Sequence, residues 1–158
     1  MNTSALRIEK LPAMRVASVQ ATSTTPERDA WAKLEAWAAP LGLLNDLDRH
    51  PVFGFNNPRP RPNHPDHGYE FWIRVDPETA AAPGIALKDF PGGLFAVTRC
   101  RLVGDPAGEI DHVWLDLWKS VQTGPYRWRQ AQELEKPVDP RAPESELCLD
   151  LYLPVTAV

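Results

Sequence analysis

The sequence predicts an α+β fold: a duplicated strand-helix-strand-strand module with pseudo-two-fold symmetry. In that fold an antiparallel sheet forms a central ligand groove, with helices packed on its other face. Three observations predict it. Two helix-like segments each start at a proline and carry one apolar stripe. Two strand-like runs, "EFWIRV" at 70–75 and "DLYLPV" at 150–155, lie eighty residues apart and share acid, aromatic and aliphatic offsets. The helices echo each other too, "AWAKL" against "VWLDL", with tryptophan and leucine at the same places. This gives a single domain over 1–158, with pseudo-repeats at about 1–80 and 81–158.

Each element has its own signal. "LRIEKLPAMRVASVQAT" reads as an extended start interrupted at Pro12. The first helix has Thr25 to cap it, Pro26 at a position where the missing amide hydrogen costs nothing, and Glu27 at its positive end. Its stripe is Trp31, Leu34, Ala38 and Leu41 with Trp37 beside it, and Pro40 and Gly42 end it. A short strand at 52–55 follows, then a loop rich in Pro, Asn and His, then the strand "HGYEFWIRVDP". "IALKDFPGGLFAVTRCRLVG" reads as two strands joined through Pro91, Gly92 and Gly93. Asp105 and Pro106 open the second helix, while Gly124 and Pro125 stop it. Its stripe is Ile110, Val113, Trp114, Leu117 and Val121, widened by Leu115 and Trp118. "YRWRQAQEL" supplies a further strand. In the final one Leu147, Leu149, Leu151, Leu153 and Val155 alternate with Cys148, Asp150 and Tyr152.

The totals bound the function. A formal net charge of −4 argues against a general affinity for nucleic acid or anionic membrane. No apolar run reaches the roughly eighteen residues of a membrane helix, and the start lacks a basic-then-apolar leader, so a cytoplasmic protein is expected. Cys100 and Cys148 match no clustered metal or redox spacing and are expected reduced and at least partly buried. His64 and His67 flank Asp66 in a loop, but no element fixes them and no third histidine is near, so no metal is expected. The glycines of "FPGGLF" lack a phosphate-loop lysine and a dinucleotide fingerprint, so no cofactor is expected either.

Strand alternation puts Tyr69, Phe71, Ile73 and Val75 on one face, and Glu70, Trp72 and Arg74 on the other. A carboxylate beside a large aromatic suits a pocket with an apolar wall and a negative charge. Glu70 therefore stands as a contact for a cationic ligand, or as the partner of Arg74. Trp72 stands as a stacking wall, or as packing between sheets. By the repeat, Asp150 and Tyr152 offer a second acid and a hydroxyl on a matching strand. Phe55 sits beside the groove or in the core, and Trp118 reaches the pocket edge or packs helix on sheet.

"YEFWIRV", "KDFPGGLFAV" followed by "VWLDLW", and the terminal "LCLDLYLPV" together resemble the gyrase-inhibitor-like small-molecule-binding family. That family also serves as the effector-binding domain of AraC-type and MerR-type multidrug-responsive regulators. The resemblance covers nearly the whole chain. It implies a central groove for lipophilic, often cationic compounds, with Glu70, Trp72, Asp150 and Tyr152 at the matching strand positions. Some stand-alone relatives resemble hydrolases that open cyclopropane-bearing compounds with a tyrosine and a glutamate. The hydrolytic alternative here is Glu70, with a raised pKa, activating water while Tyr152 donates a proton. A regulatory protein-interaction domain is the other alternative. The resemblance leaves no room for an additional DNA-binding domain, so direct DNA binding is not expected. The expected partner is a small organic molecule, and the expected assembly a monomer or homodimer.

Overall fold

A computed structural model describes residues 6–102 and 106–158. Asp105, the expected cap of the second helix, lies outside them. In chain order the first elements are β1 (Arg7–Leu11), β2 (Met14–Ser23), α1 (Pro26–Ala38), β3 (Val52–Asn56), β4 (His67–Arg74) and β5 (Ala86–Phe90). Then come β6 (Gly93–Arg101), α2 (Pro106–Thr123), β7 (Tyr126–Trp128), β8 (Leu134–Pro137) and β9 (Cys148–Ala157). The result is α+β, with all strand pairs given below antiparallel.

Two compact units form, interleaved in sequence. Ala13–Pro91 make one; the segment up to Pro12 joins Gly92–Val158 in the other. The compact units are interleaved, whereas the expected pseudo-repeats are contiguous stretches of sequence. The extended start breaks at Pro12 because β1 and β2 belong to different units. Likewise β5 and β6, joined through Pro91 and Gly92, do not pair with each other: β5 pairs β2, and β6 pairs β1 and β9.

In the unit of residues 13–91 the strand order is β3-β4-β2-β5. One face packs on α1: Ala17, Val19, Ala21, Val52, Tyr69, Phe71 and Ile73 form a core with Ala30, Leu34 and Ala38. Trp31 adds an edge-on contact to Phe71 at 5.5 Å between ring centroids. Leu41 lies on the stripe by periodicity, but α1 ends at Ala38 and the following turn carries Leu41 out to 57% exposure. Thr25 occupies the cap position without a side-chain cap bond; Ser23 Oγ instead accepts from the Thr25 amide at 3.1 Å. Gly54 has no side chain because the Tyr69 ring fills the space where a Cβ would sit.

In the other unit the order is β1-β6-β9-β8, with β7 pairing the far end of β9. Leu149, Leu151, Leu153 and Val155 alternate onto α2, against Val113, Leu117 and Val121. Leu115 and Trp118 do not widen this stripe: they are 48% and 45% exposed. At about 100° per residue they fall roughly 160° and 100° from Leu117, beyond the buried arc.

The two registers match. Glu70 stands opposite Gln20 and Phe55, Asp150 opposite Arg99 and Lys136. Trp72 stands opposite Ser18 and Phe53, Tyr152 opposite Val97 and Leu134. At the fourth strand Val16 faces Lys88, and Phe95 faces Glu9. Thus β2-α1-β3-β4 and β6-α2-β8-β9 are copies of one module. Each is completed by the edge strand that precedes the other copy in sequence.

Candidate functional site

The face of β4 turned away from α1 carries Glu70 and Trp72, and antiparallel pairing puts Phe55, Ser18 and Gln20 on that same face. From β5 come Lys88 and Phe90, in register with Val16 and Met14. Trp72 sits between two rings, with Phe55 edge-on at 4.9 Å and Phe90 tilted at 5.6 Å between centroids. An acid among aromatics on this face is what the alternation predicted.

Glu70 is buried, and its partners differ from the expected Arg74, which is exposed. Its Oε2 accepts from the Trp72 indole at 2.6 Å, the Ser18 hydroxyl at 2.7 Å and the Lys88 ammonium at 2.7 Å. Its Oε1 accepts from the Asn57 side-chain amide at 2.9 Å. Burial alone would raise the carboxyl's pKa; the four donors, Lys88 foremost, outweigh it and hold the group below the usual glutamate value. The raised pKa that water activation needs is therefore overturned.

Asn57 reaches Glu70 because its loop is clamped onto β4. The Asn57 amide donates to the Gly68 carbonyl at 2.9 Å, and the Gly68 amide donates to the Pro58 carbonyl at 2.8 Å. A Cβ at Gly68 would run into the Asn57 carbonyl and the Pro58 ring. Beside Lys88, an open hollow of about 470 Å³ is lined by Ser18, Gln20, Lys33, Glu70, Gly84, Ile85, Ala86 and Lys88.

The second unit fills the same places differently. Asp150 is buried and accepts from Arg99 Nε at 2.9 Å and Arg7 Nη2 at 3.1 Å. Burial would raise its pKa, but the two guanidiniums hold it below the usual aspartate value. The Tyr152 hydroxyl donates to Glu9 at 3.1 Å, and its ring meets Phe95 edge-on at 5.8 Å. Burial, then the Glu9 charge, pushes the Tyr152 pKa up. Both Asp150 oxygens are thus engaged by guanidiniums.

Trp118 joins neither group, standing on the outer side of α2. Trp114, expected in the core, packs at its border and points its indole at Glu135, 3.4 Å away. His67 opens β4 and faces Glu27 at 3.1 Å. Cys100 is buried and Cys148 half-buried, both free, and burial lifts the Cys100 thiol to about 11. Sequence reasoning missed Ser18, Asn57, Lys88, Arg7 and Arg99. Ser18 lies on β2, which pairs β4, and Lys88 on β5, which pairs β2, and no local pattern reveals either pairing; Asn57, in an irregular loop, had no periodic signal.

Among the described residues no helix is long and apolar enough to cross a membrane. No curated protein matches the chain in sequence. Solved structures share its fold. The EcmrR chain in its complex with DNA superposes with a TM-score of 0.69 at 13% identity. The chain aligns over 100% of its own length and spans 59% of that chain. A hydrolase from Listeria innocua gives 0.66 at 17% identity, covering 96% of this chain and 91% of its own. SAV2435, bound to tetraphenylphosphonium, gives 0.59 at 10% identity, covering 97% and 94%. A family model for the GyrI-like small molecule binding domain matches residues 4–156, and the chain belongs to that family.

Proposed function

We propose that the protein binds small lipophilic or aromatic organic cations through Glu70, with Trp72 and Phe55 as apolar walls. The observation that carries this reading is a buried carboxylate that accepts from the Trp72 indole and lies opposite Phe55, with its pKa held below the usual glutamate value. A buried anion favours a cation that brings its own apolar surface and little hydration to lose. The phosphonium bound by SAV2435 belongs to that chemical class, which supports the choice of probe. Asp150 and Tyr152 act as structural support, since Arg7, Arg99 and Glu9 already engage their polar atoms. Binding rather than turnover is the role: a general base must take up a proton, and Glu70 is held in its charged form by four donors. The small molecule is the partner, with no direct DNA contact by this domain, in a cytoplasmic monomer or homodimer. The net charge of −4 and the two free cysteines support that setting.

The test is a titration with tetraphenylphosphonium and with neutral triphenylphosphine oxide, read by tryptophan fluorescence and calorimetry. Saturable binding of the cation, about tenfold or more tighter than the neutral compound, is expected. No saturable response to cationic compounds rules the reading out. Incubation with electrophilic cyclopropane-bearing or ester compounds should return them unchanged by mass spectrometry.

A further inference from the structure

The Glu70 oxygen that meets Lys88 has no free place for a ligand. Each carboxylate oxygen offers about two acceptor positions, and Oε2 already takes three donors, the indole, hydroxyl and ammonium, while Oε1 takes the Asn57 amide. The charge is also spoken for: one carboxylate against one ammonium leaves no net attraction for an incoming cation. Three of the donors are neutral and fixed. Ser18 is buried within β2, Trp72 is wedged between Phe55 and Phe90, and Asn57 is clamped by its backbone bonds to β4. The fourth differs in every respect. Lys88 comes from the edge strand β5, its side chain is 45% exposed against 3% for Glu70, and its flexible stem borders the open hollow.

We infer that Lys88 is a tethered occupant of the ligand's charge position, and that an organic cation binds by displacing its ammonium from Glu70 into the hollow. This rests on the cation-binding reading above and adds a selectivity rule to it. Small hydrated cations gain nothing by replacing one ammonium with another. A lipophilic cation loses little hydration and brings apolar surface to bury, while Lys88 regains water. Lys33, also at the hollow, donates to the Gln20 carbonyl at 3.2 Å rather than to Glu70.

The experiment compares wild type with Lys88→Met, which keeps the stem and removes the charge, using tetraphenylphosphonium as the probe. The variant should bind about tenfold or more tightly, with near-unchanged affinity for triphenylphosphine oxide. Equal or weaker cation binding by a folded Lys88→Met protein overturns the inference while leaving the cation-binding reading standing. Absence of cation binding in both proteins overturns that reading and the inference with it. Should Lys88→Met fail to fold, labelling the intact wild-type protein with an amine-acetylating reagent decides. Modification of Lys88, read by peptide mass spectrometry, should rise several-fold when the phosphonium is bound. An unchanged or lower rate overturns the displacement.

Discussion

Glu70 keeps its charge because protein donors replace the water that burial removes. Its folded pKa lies below the ordinary 4.5, so the stabilisation it contributes is present above that pH and lost as pH falls through the folded value. Cation binding should therefore persist at pH 4.5, where an ordinary glutamate is half protonated, and fail only below it. A calorimetric pH series checks this; a midpoint above 4.5 contradicts it. Glu70→Gln should cost about 1–3 kcal/mol in urea unfolding, because an amide cannot accept all four donors. The same variant should lose most of its preference for the cation over the neutral phosphine oxide. Tyr152→Phe should cost about 1 kcal/mol, since it gives up the bond to Glu9 and keeps the buried ring. Phosphonium affinity should not change in that variant, in line with a structural role for Tyr152.

The elements show where sequence patterns decide and where they do not. Period-two alternation settles which face of β4 meets α1, because a one-residue slip would bury Glu70 under the helix. The proline starts of both helices also hold. Helical periodicity overreaches at Leu41, where α1 has already ended, and at Trp118, where the buried arc is narrower than the apolar one. The site was half legible. Glu70 and its aromatic neighbours follow from one strand, whereas Lys88 and Asn57 reach the acid only through strand pairing and a loop path. Gly68 sets that path. Gly68→Ala should push the Asn57–Pro58 backbone off β4 and cost more than about 2 kcal/mol, read by thermal or urea unfolding. It should also weaken cation binding. A neutral effect on both would mean that the loop re-seats without loss.

For the molecule as a whole, the exchange of edge strands sets which pieces are complete. A cut between residues 80 and 81 leaves the first fragment without β5, and so without Lys88 and Phe90. It leaves the second without β1, and so without Arg7 and Glu9. Each fragment would then have an open edge at its first module strand and a buried acid short of a partner. Neither should melt cooperatively alone, while an equimolar mixture should recover the native circular dichroism. Cooperative melting of either fragment by itself would show that the edge strand is dispensable. The repeat was visible in "EFWIRV" and "DLYLPV", but not the exchange of edge strands between its copies. Local patterns give strand identity, and only long-range pairing reveals which neighbour each strand takes.

That exchange also orders events on the ribosome. Ala13–Pro91 is continuous in sequence, so its sheet and helix can close as soon as β5 emerges. β1 is made before the other strands of this fold, yet its partner β6 follows roughly eighty residues later. At ~5–20 residues per second that is a wait of about 4–16 s. Through that interval β1 stays unmatched, and its Arg7 and Glu9 keep it charged, a feature that discourages wrong pairing with a neighbouring chain.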